Sequence, residues 1–357
     1  MRNNYAYLNS PKKYQRKGSV RPMNIAVLGG GTWGIALAKL LCENGHKVTV
    51  WSALPKEIEY LRENKKHQNL PGAVLPDSIE YTDDLPRSLC ENKYIVFAVA
   101  SAFIRTTAKA AAPYINEDHV IIDVAKGMEK ETLFSMTEVI EDEMKKNGVA
   151  FPLKLVALSG PTHAEEVALG IPTSIVSACI DEDVAQDVAR LFSNNWMRVY
   201  TNTDIKGVEL CGALKNVIAL AAGMSIGMGY GDNTTAMLIT RGIAEMTRMG
   251  LAMGCRRRTF MGLAGIGDLI VTCTSRHSRN NRCGQYIGEG LTYDEAQEKI
   301  GMVVEGYHAL DAAMALSEKY GVDMPIIASV YKTVKCNVKP AEAIHELMSR
   351  SMKSELE

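Results

Sequence analysis

Short apolar runs bounded by turn residues recur through the first half of the chain: Met23 to Leu28, His46 to Trp51, Tyr94 to Ala100, His119 to Ala125, Leu155 to Leu158, Thr173 to Ile180 and Met197 to Thr201. Such runs, rich in valine and isoleucine, predict strands of a parallel sheet covered on both faces. A helical pattern, I-A-L-A-K-L-L-C-E-N, fills the gap between the first two and stops at Gly45. From Asp204 onward apolar residues recur at three- and four-residue steps and strand signals nearly vanish. The fold class is therefore α/β: a β/α domain over residues 23–203, followed by an all-α domain over residues 204–357. Residues 1–22 stand apart as a basic segment (Arg2, Lys12, Lys13, Arg16, Lys17, Arg21) with no amphipathic repeat, read as a disordered tail.

Within the helical half, Asp204 to Gly223 reads as one helix, capped at its start by Asp204 and ended by Gly223. Lys215 lies in line with Val208, Cys211, Ile218, Ala219 and Ala222, which puts an ammonium group on the face that should be buried. A buried unpaired charge is costly, so this lysine pairs with an anion, lowers its pKa or snorkels to water. A structural ion pair and a proton-transfer group both satisfy that demand. Glu209, Gly212 and Asn216 form a polar stripe beside it.

The first apolar run is followed at once by Gly29-Gly30-Gly31-Thr32-Trp33-Gly34 and then by the helix. This is G-x-G-x-x-G between strand and helix, with a second strand after it, the context that a Rossmann-like dinucleotide site requires. Gly29 permits the tight turn, Gly31 lets backbone approach a pyrophosphate, Gly34 lets the helix pack on the strand, and the helix amides face the phosphates. An NAD-preferring site places an acid at the end of the second strand. Here the strand ends Trp51-Ser52-Ala53-Leu54, and the nearest acid, Glu57, falls in the next helix. NADP is therefore permitted as well as NAD, with Ser52 and Lys56 as candidate phosphate partners.

Other candidates follow later strands. Lys126-Gly127 lies just past the fourth run, where its ammonium reaches a ligand anion or simply water. After Leu158 comes Ser159-Gly160-Pro161-Thr162-His163-Ala164-Glu165-Glu166, in which Thr162 and Glu165 fit a capping box. Gly262 to Leu269 places Asp268 after closely spaced glycines, either to approach another group or to cap the helix that follows. Ser275 to Arg282 carries three arginines, His277 and short polar side chains, which suits a compact oxyanion or a solvated basic loop. Arg256-Arg257-Arg258 lacks such partners and is assigned to the surface. Periodicity gives no purpose to Val303-Val304-Glu305-Gly306.

Composition narrows the rest. Of 357 residues, 46% are hydrophobic and 23% charged, and the net charge of -1 gives no global pull towards nucleic acid or an acidic membrane. The 8 cysteines are scattered without C-x-x-C or zinc spacing, which favours reduced thiols in a cytosol and no metal site. The most continuous later apolar run, residues 216–231, is glycine-rich and shorter than the roughly 20 residues of a membrane span, so the protein is not expected to be membrane-embedded.

Taken in order, G-G-G-T-W-G (29–34), A-K-G (125–127), S-G-P-T-H-A-E-E (159–166), L-K-N (214–216), G-L-A-G-I-G-D-L (262–269), S-R-N (278–280) and V-V-E-G (303–306) closely resemble the bacterial NAD(P)-dependent glycerol-3-phosphate dehydrogenases. The resemblance implies a cleft between a Rossmann-like and a helical domain, a cytoplasmic homodimer, and interconversion of dihydroxyacetone phosphate and sn-glycerol 3-phosphate for phospholipid synthesis. It implies cofactor contacts at Thr32, Trp33, Lys126, Ala164, Arg279, Val303 and Glu305. Substrate contacts would come from Lys126, Gly160, Thr162, Lys215, Asp268, Ser278, Arg279 and Asn280, with Lys215 as general acid/base. Ala53 stands where the family usually carries a histidine or arginine beside the 2′-phosphate, a departure from strong NADP selectivity. A phosphate-free hydroxyacid dehydrogenase would not need Ser278-Arg279-Asn280, and a non-catalytic NADP-binding regulator would not need Lys215 and Asp268.

Overall fold

The computed structural model describes residues 21–352 and 354–355; all of the basic tail except Arg21 and Pro22 lies outside them. Eight strands form one sheet: β1 (Asn24–Leu28), β2 (Lys47–Trp51), β3 (Glu80–Thr82), β4 (Tyr94–Phe97), β5 (Val120–Asp123), β6 (Lys154–Ser159), β7 (Thr173–Ala178) and β8 (Met197–Asn202). Their order is β3-β2-β1-β4-β5-β6-β7-β8. Every neighbouring pair is parallel except β6 and β7. The carboxyl ends of β1, β5 and β6 thus deliver Gly29, Lys126 and Gly160 to one edge, where doubly wound sheets bind ligands. The apolar runs had overreached: Val99, Ala100, Val124 and Ala125 lie beyond the ends of β4 and β5, in the edge loops. The short β3 had left no apolar run to see.

Alternate residues of the central strands feed two cores. Ile25, Val27, Val96, Ile122 and Val156 pack on one side with the helix Thr32–Glu43. Ala26, Leu28, Ile95, Phe97 and Ile121 pack on the other with the helices Ile104–Ala111 and Met136–Lys146. Two covered faces explain why these strands read as unbroken apolar runs.

No strand follows Asn202 among the described residues, and the second domain is built around the helix Ile205–Gly227. Asp204 caps it as expected, accepting from the Gly207 amide at 3.1 Å, and also accepts from the Arg256 amide (2.8 Å) and the Thr259 hydroxyl (2.6 Å). One expectation for this helix fails: it does not end at Gly223 but runs to Gly227. Every residue from Gly207 to Ser225 is buried, the polar stripe of Glu209, Gly212 and Asn216 included. Gly223 serves packing instead. A Cβ on Gly223 or Gly227 would collide with the carbonyl of Asn281 or Gln285 on the helix Arg279–Gly288. On that helix, a Cβ on Gly284 or Gly288 would meet the carbonyl of Leu220 or Met224. Paired glycines four residues apart let two backbones touch, the small-residue packing known from membrane helices but here inside a protein core. The central helix is long and apolar enough to cross a membrane, yet most of it is buried inside the fold.

Glu209 joins the domains. Its carboxylate accepts from the Ser135 hydroxyl (2.8 Å), the Thr137 amide (2.9 Å) and the Thr137 hydroxyl (2.5 Å), at the start of the helix Met136–Lys146. Burial pushes its pKa up to about 7 despite those three donors.

Candidate active site

The glycine turn is shaped by close contacts. Gly29 has φ +128°, and a Cβ there would lie 2.8 Å from the Ala98 carbonyl group. A Cβ on Gly34 would overlap the Gly29 carbonyl, whereas one on Gly31 would meet nothing within 4 Å. Two glycines therefore serve the protein's own packing, and the third keeps a space clear. Gly31 is also the N-cap of Thr32–Glu43, without a side-chain cap or an acid in the first turn, so the amides of Thr32 and Trp33 remain available to an anion. These residues fit a dinucleotide pyrophosphate. Asn69 donates to the Thr32 hydroxyl at 3.4 Å, and Trp33 packs, half-buried, against the sheet core.

At the end of β2 the structure corrects the sequence reading. Ser52 is buried and donates to the Glu57 carboxylate at 2.5 Å, while its oxygen accepts from the Leu54 amide at 3.2 Å. Its hydroxyl is thus engaged, and Ala53 and Lys56 are exposed. An acid is present after all: Glu57 reaches back from the helix Pro55–Asn64, and a Cβ on Gly30 would lie 2.6 Å from its Oε2.

The chemistry gathers around Asp268. Lys215 Nζ donates to Asp268 Oδ1 at 2.7 Å and to the Thr272 hydroxyl at 2.7 Å. Lys126 Nζ donates to Asp268 Oδ2 at 2.8 Å and to the Gly160 carbonyl at 3.1 Å. An ammonium has three N–H donors, so each lysine keeps one beyond these bonds among the described residues. Lys215 is 5% exposed and Asp268 1%. Burial lowers the Lys215 pKa to about 8, with Asp268 pulling it up and Lys126 pushing it down. Burial works to raise the Asp268 pKa, but the two ammonium groups prevail and hold it low. Two cations and one carboxylate leave the cluster a net positive charge. Asp268 is the first residue of the helix Asp268–Thr274, straight after a π-helical turn over Leu263–Gly267. The N-cap is Gly267 and no side chain caps the helix, so of the two readings the close approach to another group holds and the cap does not.

Ser278 to Asn280 stand close by, but not as a free basic loop. Ser278 caps the helix Arg279–Gly288, accepting from the Asn281 amide at 3.2 Å. Asn280 donates to Asn216 Oδ1 at 3.0 Å and accepts from the Gly306 amide at 2.8 Å. Arg279 donates to the Val303 carbonyl at 3.1 Å, and Arg276 and His277 are exposed. The amides of Arg279 and Asn280, at the start of a well-formed helix, suit a compact anion better than the dispersed arginines do. Glu305, from the helical part of the chain, reaches the sheet edge, its carboxylate accepting from the Ser101 hydroxyl at 2.5 Å beyond the end of β4.

The capping box at Thr162 does not form. The short helix Ala164–Ala168 is preceded by His163 without a side-chain cap, and the Thr162 hydroxyl donates to the Gly160 carbonyl at 3.2 Å. Ala164 packs, half-buried, against the core of the sheet. Sequence reasoning missed Thr272, Ser101 and His163. The His163 ring lies 5.7 Å from that of His277, and burial followed by the nearby Lys215 charge lowers its pKa to about 4. Its Nε2 and the Ser159 hydroxyl are buried without a hydrogen-bond partner among the described residues. Only the three-dimensional proximity of Lys215 distinguishes His163 from an ordinary loop histidine.

A doubly wound sheet with a cleared phosphate turn, facing a helical domain that offers a half-neutralised lysine cluster, defines a two-domain nicotinamide-dependent oxidoreductase. The chain belongs to the NAD-dependent glycerol-3-phosphate dehydrogenase family: the model of its N-terminal domain matches residues 24–185 and that of its C-terminal domain residues 204–345. The chain is 53% identical over 332 residues to glycerol-3-phosphate dehydrogenase (NAD(P)+) 2 of Lactobacillus delbrueckii, covering 93% of this chain and 98% of that one. It is 48% identical to the glycerol-3-phosphate dehydrogenase (NAD(P)+) of Agathobacter rectalis, with 93% and 97% covered. A crystal structure of glycerol-3-phosphate dehydrogenase from Coxiella burnetii superposes with a TM-score of 0.87 at 34% identity, covering 92% of this chain and 99% of that one.

Proposed function

We propose that the protein interconverts dihydroxyacetone phosphate and sn-glycerol 3-phosphate using NAD(P)(H), with Lys215 as general acid/base. The observation that carries the reading is the cluster in which Lys215 and Lys126 share the buried Asp268 carboxylate, each ammonium keeping an unengaged N–H. When bound, the reduced nicotinamide supplies a hydride to the substrate carbonyl carbon. Lys215 donates its third proton to the carbonyl oxygen, becomes a neutral amine and regains a proton from solvent; in reverse, the neutral amine takes the hydroxyl proton. With its pKa near 8 rather than 10.5, the lysine gives up and recovers that proton without a large energetic mismatch. Lys126, held by Asp268 and Gly160, stabilises the negative charge that develops on the oxygen. Asp268 keeps both lysines in place and keeps Lys215 charged.

The substrate phosphate is assigned to the start of Arg279–Gly288, where Arg279 supplies charge and the first amides supply donors. Ser278, Asn280 and Thr162 shape that end of the site, with Val303, Glu305 and Ala164 towards the cofactor. Binding energy from the phosphate, remote from the carbonyl, positions the reacting carbon. The same reading places the protein in the cytoplasm as a homodimer that provides sn-glycerol 3-phosphate for phospholipid synthesis. Free cysteines, five of them buried, are in keeping with a reducing compartment.

The test is oxidation of reduced nicotinamide by the purified protein with dihydroxyacetone phosphate, beside unphosphorylated dihydroxyacetone. Turnover that requires the phosphate is expected. Folded protein that binds nucleotide but oxidises it with neither substrate would overturn the assignment. Light scattering checks the dimer.

A further inference from the structure

The carboxylate at the end of β2 has no part in the proton transfer. We propose that Glu57 selects the cofactor, accepting a hydrogen bond from the adenosine ribose hydroxyl of NAD(H) and repelling the 2′-phosphate of NADP(H). The inference rests on the dehydrogenase reading above and adds which of the two nucleotides the site prefers.

Doubly wound dinucleotide folds hold the adenosine ribose at the end of the second strand, beside the glycine turn. Two contacts put Glu57 there. Its Oε2 is 2.5 Å from the hydroxyl of Ser52, the residue immediately after β2. A Cβ on Gly30 would lie 2.6 Å from the same oxygen and 2.9 Å from the carboxyl carbon, so the group is pressed against the middle glycine of the turn. Among the described residues Oε2 is the oxygen that Ser52 engages, and Oε1 makes no further hydrogen bond. The acid comes from the first turn of the next helix rather than from the strand, where the helix dipole favours negative charge.

Among the described residues no cation forms an ion pair with that carboxylate. Ala53 and Leu54 carry none, and Lys56 is exposed. Arg62 donates to the Tyr81 carbonyl at 2.9 Å, and Lys65 pairs with Asp77 at 3.9 Å. His67 feels the Glu57 charge, but burial, the larger effect, lowers its pKa, so it is neutral at physiological pH. A 2′-phosphate brought to this edge would meet a carboxylate with no opposing arginine, whereas a 2′-hydroxyl would find an acceptor.

The experiment is equilibrium binding to the full chain: NADH and NADPH followed by nicotinamide fluorescence, with competition by 5′-ADP and 2′,5′-ADP. NADH is expected to bind about ten- to a hundredfold more tightly than NADPH, the range for a hydrogen bond to a charged group. Glu57→Gln keeps the shape and an acceptor for Ser52 but removes the charge. It should narrow the gap about tenfold, chiefly by tightening NADPH and 2′,5′-ADP. Ser52→Ala, which only releases the carboxylate, should narrow it less. Equal or tighter NADPH binding by the unaltered protein, or a ratio untouched by Glu57→Gln, would overturn the proposal while leaving the dehydrogenase reading intact. Failure to bind either dinucleotide would overturn both.

Discussion

Replacing Asp268 by asparagine probes the coupling at the centre of the site. The side chain keeps its size and the bond to Thr272 can persist, but two ammonium groups that sat 2.7 and 2.8 Å from carboxylate oxygens now face a neutral amide. Leaving buried charge unpaired costs about 3–5 kcal/mol, and loss of a proton from one lysine relieves most of it. Lys215 is the one to lose it, because burial has already brought its pKa to about 8 and Asp268 is the strongest influence holding it up. Removing the carboxylate therefore moves that pKa down, through neutrality. On the proposed mechanism reduction requires the protonated lysine, so the unaltered enzyme should hold a flat kcat/KM below about pH 8 and fall above it. Asp268→Asn should enter its falling limb at lower pH, and with Lys215 also less well oriented, reduction at neutral pH should drop by about two to three orders of magnitude. In the oxidation direction the rise to the plateau should move down in pH by the same interval. Initial rates in both directions across the neutral and alkaline range, with denaturant unfolding as a control, make the assay. A limb that stays where it was in the unaltered enzyme, however much the rate falls, would refute Lys215 as the titrating acid/base.

Three further outcomes follow from the packing. Gly31→Ala should leave thermal stability unchanged while weakening dinucleotide binding, because its Cβ enters the space kept clear; Gly34→Ala should destabilise the first domain itself, and calorimetry with nucleotide titration separates the two. Gly223→Ala forces a methyl group into the Asn281 carbonyl, and a loss of about 3 kcal/mol or more by denaturant unfolding is expected; an unchanged midpoint would show that the helices do not touch there. Glu209 has its folded pKa raised from 4.5 to about 7, so its contribution is full below about pH 4.5 and is lost as pH rises through 7. Glu209→Gln should remove that slope, worth on the order of 3 kcal/mol, from the difference between the two stability profiles, and parallel profiles would contradict the raised pKa.

The sheet was legible because strands buried on both faces announce themselves as apolar runs, and the glycine turn because its spacing follows from backbone geometry. Lys215 was legible as an anomaly, a charge in line with Val208 and Ile218, although no periodicity could name Asp268 as its partner 53 positions later. What stayed hidden depends on contacts between distant segments. Gly223 looks like a helix terminus until the backbone of Asn281 is seen against it. Glu57 looks misplaced for the ribose because an acid is sought on the strand, whereas the first turn of the next helix brings it back over Gly30. Ser278 and Asn280 read as part of an anion loop, since nothing local shows that one caps a helix and the other joins Asn216 to Gly306. Thr162 and Glu165 show the reverse case, a sound local capping signal that the tight course of the chain past Gly160 leaves unused.

The glycine crossing in the second domain also acts as a gauge. Lys215 lies on one of the two helices, and the helix start assigned to the substrate phosphate belongs to the other. The backbones touch at Gly223 and Gly284, and Asn216 is tied to Asn280 at 3.0 Å. On the function proposed here, proton donor and phosphate anchor therefore stand at a separation that movement between the domains does not alter. Any such movement would change only how Lys126, Gly160 and the dinucleotide approach. The distance tolerated between a carbonyl and a phosphate is then written into four glycines that never touch the substrate, and selectivity for carbon-chain length is a property of how closely two helices cross.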